Sequence, residues 1–138
     1  MQVSDLDGNI YKWKTSASLA VTNNSRPRSQ LLLTARSLLK DCYPTVLLCE
    51  EVPVRLRQTK KVFVDFYINT IKTVIEVHGA QHYSFNSLYH TCAQDFISQK
   101  QRDRELEEWC VLNGLIYIEL PFNENKDQWL MRIQQKND

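Results

Sequence analysis

The segment Val62–Tyr83, VFVDFYINTIKTVIEVHGAQHY, holds two runs of apolar, β-branched and aromatic residues joined by the short polar link Asn69-Thr70. Runs of this composition and length are core strands. Each is interrupted by one carboxylate: Asp65 within Val62–Ile68 and Glu76 within Thr73–His78. Burying a carboxylate costs several kcal/mol unless something pairs with it, and a divalent cation is one such partner. Side chains alternate along a strand, so Phe63, Asp65 and Tyr67 are expected on one face of the first run and Val74, Glu76 and His78 on one face of the second. If the two runs pair as a hairpin around Asn69-Thr70, Asp65 and Glu76 meet at one end of the sheet. Neighbouring carboxylates repel, which raises a pKa or recruits a cation. Oxygen donors with room left for water and phosphate favour Mg²⁺, with Mn²⁺ able to substitute.

Working outward, Val46–Val54 reads as a further strand, joined to Val62–Ile68 through a polar hairpin loop at Arg57–Lys61. Residues 2–14 predict an N-terminal β-hairpin turning at Asp7-Gly8. Residues 15–26 predict a loop. Pro27 suits a first helical turn, and Leu31, Leu32, Ala35, Leu38 and Leu39 recur at helical spacing up to Cys42. Residues 80–94 look irregular. A helix is expected from Asp95 to Asn113, stopped by Asn113-Gly114, then a strand at Leu115–Leu120 and an amphipathic helix at Lys126–Lys136. The order hairpin, α, β, β, β, α, β, α predicts an α/β fold with a central mixed sheet flanked by helices. The 138 residues are read as one domain.

Hydrophobic residues make up 43% of the chain, which excludes a disordered class. No apolar run reaches the roughly 18 residues of a membrane span and the N-terminus has no signal-peptide core, so a soluble cytoplasmic protein without membrane contact is expected. Cys42, Cys49, Cys92 and Cys110 show no C-x-x-C spacing and are read as free buried thiols. Residues 1–75 carry 11 Lys and Arg against 6 Asp and Glu, whereas residues 76–138 carry 6 against 10. A basic face beside an acidic cluster suits a polyanion held over a cation; a solvated surface gives the same counts. The hairpin-loop residues Arg55, Arg57, Lys60 and Lys61 are the candidates for phosphate contacts.

In the helix from Asp95, Asp103, Leu106 and Cys110 share one stripe, with Gln99 one turn earlier. Asp103 therefore belongs to the face that packs on the sheet, although Arg102 and Arg104 offer it structural partners. The plain alternative for Asp65 and Glu76 is a buried ion pair with an arginine. His78 and His90 are read as structural, with His78 keeping a claim on the cation because it shares a strand face with Glu76.

The ordered set D-F-Y (65–67), V-I-E-V-H-G-x-Q-H (74–82), Q-R-D-R (101–104) and L-N-G (112–114) resembles the PD-(D/E)xK nuclease superfamily. Within it, the set looks like the branch of the very-short-patch-repair endonucleases and the phage homing endonucleases of the Glu-Asp-x-His-Asp type. The resemblance spans residues 27–121 and implies a restriction-endonuclease-like core. It implies Asp65 and Glu76 as Mg²⁺ ligands with the Val77 backbone carbonyl, His82 as the active-site histidine, and Asp103 as the final aspartate. His78 stands where the superfamily carries its lysine, and His82 substitutes for that lysine in this branch. Relatives carry a glutamate early in the first helix, where this chain has Ser29-Gln30. Glu50, Glu51 or neither supplies that charge instead, and Glu51 is favoured.

The resemblance further implies a Mg²⁺-dependent DNA endonuclease, of the phage homing kind, acting on double-stranded DNA. His82 would activate water as general base or steady the developing charge, and Asp103 would orient it. Three other readings stay open: a mismatch-directed nicking enzyme, a structure-selective nuclease such as a junction resolvase, and a non-catalytic DNA-binding module. One active site nicks one strand, so a double-strand cut requires a homodimer or two successive events.

Overall fold

The computed structural model describes residues 1–15, 19–20, 29–85, 87 and 90–137. Two sheets form. Strands β1 (Gln2–Ser4) and β2 (Ile10–Lys12) pair as the expected hairpin, with Gly8 at a φ of 91° in the turn. The second sheet has the order β3 (Leu19–Ala20), β4 (Cys49–Arg57), β5 (Lys60–Ile68), β6 (Thr73–His78) and β7 (Ile116–Pro121). Its neighbours are antiparallel except β6 and β7, which run parallel. A parallel pair needs a crossover, and helix α2 (Ala93–Leu112) supplies it. Helices α1 (Gln30–Cys42) and α3 (Lys126–Asn137) complete the α/β architecture.

Several boundaries move. β4 starts and ends three residues later than expected, and Arg57 and Lys60 lie in strands rather than in a loop. The turn is only Gln58-Thr59, because cross-strand pairing up to Arg57↔Lys60 satisfies backbone groups that a longer loop would leave to water. Leu19 and Ala20, expected in a loop, add the edge strand β3 against Cys49 and Glu50. Helix α1 begins at Gln30 with the Ser29 hydroxyl accepting from the Leu32 N–H at 3.2 Å; the expected start at Pro27 and the basic residues Arg26 and Arg28 lie outside the described residues. The link after β5 is a single 3₁₀ turn, Asn69–Ile71, closed by Lys72 at a φ of 50°. Cys92 is exposed, contrary to expectation; Cys49 and Cys110 are buried.

The sheet separates two cores. On one face Leu106, Trp109 and Cys110 of α2 and Val3 and Trp13 of the hairpin region meet Val52, Val54, Val64, Tyr67 and Val74. On the other, Ala35 and Leu39 of α1 and Trp129 and Ile133 of α3 cover Phe66, Ile68, Ile75, Val77, Ile118 and Leu120. Alternation holds along β6 but changes phase along β4 and β5. Val62 and Val64 face the α2 core together with Tyr67, so Phe63 and Tyr67 lie on opposite faces, and Phe63 is exposed. The phase changes where Glu51 and Asp65 stand opposite one another. They form no bridge between the pairs Glu50↔Phe66 and Val52↔Val64, and Glu51 takes a left-handed φ of 55°. A left-handed residue inside a strand re-aims the residues on either side of it.

Candidate active site

The pairing of β5 with β6 stops at Phe66↔Ile75. One residue further, side chains take over from the ladder. Oε2 of Glu76 accepts the Asp65 backbone N–H at 2.8 Å, and Oδ2 of Asp65 accepts the Val77 N–H at 2.8 Å. The strands fork there, and the two carboxylates occupy the fork as their spacing predicts. Each keeps one oxygen out of these backbone bonds. Glu76 is 2% exposed, and burial together with the Asp65 charge pushes its carboxyl well above the usual range, with Arg102 opposing.

Helix α2 brings Gln99, Arg102 and Asp103 to the fork, at the i, i+3, i+4 spacing that places side chains on one stripe. Both terminal nitrogens of Arg102 lie 3.4 Å from Oε1 of Glu76; Nη1 lies 3.2 Å from Oδ1 of Asp103, and Nη2 donates to the Phe63 carbonyl at 3.0 Å. His82 sits on the 3₁₀ turn Ala80–His82 that follows β6. Its Nδ1 is 2.7 Å from Oδ2 of Asp103 and its Nε2 is 3.2 Å from the Gln99 amide nitrogen. The Gln99 carbonyl oxygen in turn meets Nε2 of His90 at 2.9 Å. With Asp103 accepting from Nδ1–H and Gln99 donating to Nε2, His82 is held in the tautomer whose Nε2 carries the lone pair.

Asp65, Glu76, Val77, His82, Gln99 and Arg102 line one cleft of about 540 Å³, together with Leu32 of α1 and its N-cap Ser29. Glu51 is not among the lining residues. Both carboxylate oxygens of Glu50, which is buried, accept from Nη2 of Arg36 at 3.0 Å. Of the four candidate phosphate contacts, Arg57 bonds Asp7 at 2.7 Å and Glu105 at 3.1 Å, and Lys60 bonds Glu105 at 3.0 Å. Arg55 lies over the Tyr11 ring, and Lys61 is exposed beside Phe63.

The sequence offers Arg102 only as a structural partner of Asp103; in the fold it pairs with Glu76 as well. A signal for this exists, since Arg102 lies three residues after Gln99 and next to Asp103. Spacing alone does not predict the histidine–glutamate layer behind His82. The His78 ring stacks on His82 at 4.0 Å between centroids and 3° between planes, and its Nδ1 lies 3.3 Å from Oε1 of Glu119 on β7. The hydrogen bond with His78 holds the Glu119 carboxyl down to about 2 against desolvation, with help from the Tyr83 hydroxyl.

Two places compete as cation sites. His78, His82 and Asp103 have donor atoms close enough to share an ion. An imidazole donates in its own ring plane, however, and these two planes are nearly parallel and stacked, so the two lone pairs do not converge on one ion. The fork fits better. It offers only oxygen donors, from two strands, in an electrostatically deficient position where an added positive charge relieves the Asp65–Glu76 repulsion, and the Val77 backbone lines the same cleft. A cation there competes with Arg102 for Oε1 of Glu76.

Among known proteins, the chain is similar to uncharacterized viral proteins. It is 34% identical over 59 residues to protein 033L of Invertebrate iridescent virus 3 and 37% identical over 60 residues to protein 094L of Frog virus 3, each match covering 43% of this chain. The matched segments amount to 30% and 39% of those relatives' lengths. No protein-family model matches the chain, and no solved structure matches it.

Proposed function

We propose that the protein is a Mg²⁺-dependent phosphodiester hydrolase acting on double-stranded DNA. The observation that carries the reading is the fork: Asp65 and Glu76, hydrogen-bonded to each other's strands, line one cleft with an oriented His82. Asp65 and Glu76, with the Val77 carbonyl, are the residues that would hold the cation. When bound, such an ion polarises the scissile phosphate and makes its water more acidic.

The chain's own groups supply the rest. Nε2 of His82 accepts a proton from the attacking water once Gln99 releases it; the water oxygen bonds to phosphorus as the bond to the leaving oxygen breaks, that oxygen takes a proton from solvent, and Asp103 stabilises the imidazolium that forms. With Glu76 holding the ion, the guanidinium of Arg102, tied to Asp103 and the Phe63 carbonyl, would be placed to donate to the phosphate. Similar proteins in two viruses go with the expectation of a virus-encoded enzyme; the homing role is part of this proposal.

A second reading has its own support, because Arg102 already compensates Glu76 as it would in a purely structural ion pair. Incubating supercoiled plasmid with the protein and Mg²⁺ separates the two. Nicked or linear product is expected from the wild type and none from Asp65→Ala or His82→Ala. Equal cleavage by those variants, or no cleavage by the wild type with Mg²⁺ or Mn²⁺, defeats the hydrolase reading.

A further inference from the structure

Three cavities share lining residues in turn. The catalytic cleft shares Gln99 and Arg102 with a groove of about 500 Å³ that runs along Ser98, Gln101, Lys60 and Lys61. That groove shares Lys61 with a pocket of about 340 Å³ whose walls include Lys12, Lys14, Arg55, Tyr11 and Trp13. The last pocket gathers four cations from three segments: β4, β5 and the end of the N-terminal hairpin. Arg55 and Lys61 are direct cross-strand partners, an arrangement that places like charges opposite each other on one sheet face and destabilises the pair. Among the described residues, the one ion pair that any of the four makes is Arg55 Nε to Asp5, at 3.8 Å. Arg57 and Lys60, by contrast, are neutralised by Glu105 and Asp7.

We propose that Lys12, Lys14, Arg55 and Lys61 form a phosphate track that holds the flank of the DNA duplex whose scissile bond lies in the cleft. The proposal rests on the hydrolase reading for the class of polyanion it takes. Like charges gathered in one pocket are relieved by a polyanion, and counterions released from its phosphates drive the association. The succession of cleft, groove and pocket, linked by Gln99, Arg102 and Lys61, argues for a linear chain of phosphates rather than a flat anionic membrane. Beside the track, Phe63 is exposed and directly opposite Pro53, which gives an apolar shoulder against sugar and base edges. The basic residues of the β4–β5 hairpin thus divide by role: Arg57 and Lys60 brace α2 through Glu105, while Arg55 and Lys61 join two lysines of the hairpin that lie far away in sequence.

The test is fluorescence anisotropy of a labelled 30-base-pair duplex in EDTA, where no cleavage interferes, across a salt series. Lys12→Ala/Lys14→Ala is expected to weaken binding about tenfold and to lower the slope of log K against log salt by about 2, one unit for each phosphate that the variant leaves unneutralised. Lys40→Ala/Lys126→Ala, on the exposed faces of α1 and α3, is expected to bind as the wild type does. A decrease in the control pair equal to that in the track pair overturns the track. So does tighter binding of the matching single strand, or lysine-dependent binding of phosphatidylserine vesicles without binding of duplex. The outcome stays distinct from that of the plasmid assay. Cleavage unaffected by Lys12→Ala/Lys14→Ala with unchanged affinity defeats the track alone, whereas track-dependent binding without cleavage defeats the hydrolase alone.

Discussion

Replacing Glu76 by glutamine separates a catalytic carboxylate from a structural one. In the metal-free protein Glu76 faces two opposed terms. The Asp65 carboxylate is close enough that each accepts a hydrogen bond from the other's strand, and two unit charges at that range repel by about 3 kcal/mol at an effective dielectric of about 20. Arg102, at 3.4 Å and about a quarter exposed, offsets part of this through a solvent-screened contact. Desolvation of a carboxylate 2% exposed adds a cost of several kcal/mol. Glutamine removes the charge repulsion and the desolvation of a charge and keeps an acceptor for the Asp65 N–H; its NH2 replaces the oxygen that accepts from Arg102, whose other bonds go to Asp103 and the Phe63 carbonyl. Glu76→Gln in EDTA is therefore expected to be about 1 kcal/mol more stable than the wild type, a rise in Tm of roughly 3–5 °C for a domain of this size, while losing all cleavage.

The pH dependence follows. A carboxyl whose pKa is raised on folding contributes its stability fully below its ordinary value of 4.5 and loses it as pH rises through the folded value. Wild-type stability in EDTA should thus fall between acid and neutral pH relative to Glu76→Gln, and Mg²⁺ should restore it in the wild type only. Thermal melts of both proteins from pH 4 to 8, with and without Mg²⁺, provide the measurement. A variant less stable than the wild type by more than about 1 kcal/mol at pH 7 would refute the reasoning, because it would mean that Glu76 is kept for its ion pair with Arg102.

Two other substitutions probe the neighbouring groups. Asp103→Asn keeps the shape of the bond to Nδ1 of His82 but lets the amide donate, which favours the wrong tautomer; kcat is expected to fall by at least about 100-fold with little change in DNA affinity, read by single-turnover cleavage and anisotropy on the same preparation. Glu105→Gln loosens the brace between α2 and the β4–β5 hairpin. Desolvation raises the Glu105 carboxyl, but hydrogen bonds from Lys60 and Arg57 outweigh it and hold the group below 4.5. Its contribution is present above about pH 4.5 and lost as pH falls through the folded value. The variant should therefore unfold about 1–3 kcal/mol more easily in urea at pH 7, with the difference shrinking in acid.

Much of the architecture was legible because period and punctuation are local properties. β6 has the bounds read from its composition, and α2, β7 and α3 lie within two residues of theirs. The error in strand facing has one physical origin. Strand alternation assumes a regular backbone, and the left-handed Glu51 opposite an unbridged Asp65 breaks that regularity on two strands together; this is why Phe63 faces solvent while Tyr67 is buried. Nothing in residues 50–52 announces it, since glutamate is not a residue that prefers positive φ. Similarly, the charged tip Arg57–Lys61 reads as loop by composition, yet pairing to Glu105 and Asp7 carries the strands to their turn.

Residue spacing shows which strands carry carboxylates, that they meet at one end of a hairpin, and that Asp103 belongs to the sheet-facing stripe of α2. Each of these follows from spacing within one element or between two adjacent ones. Tertiary structure alone decided what surrounds those groups: the fork that replaces ladder bonds by carboxylates, the guanidinium of Arg102 shared between Glu76 and Asp103, the His78–Glu119 layer behind His82, and the four-cation pocket that unites Lys12 and Lys14 with Arg55 and Lys61. Those depend on which distant segments approach each other, and on how a buried charge is compensated once they do. A single chain's residue pattern does not encode that compensation locally, because it is the packed sheet, through desolvation and short charge–charge distances, that makes it necessary.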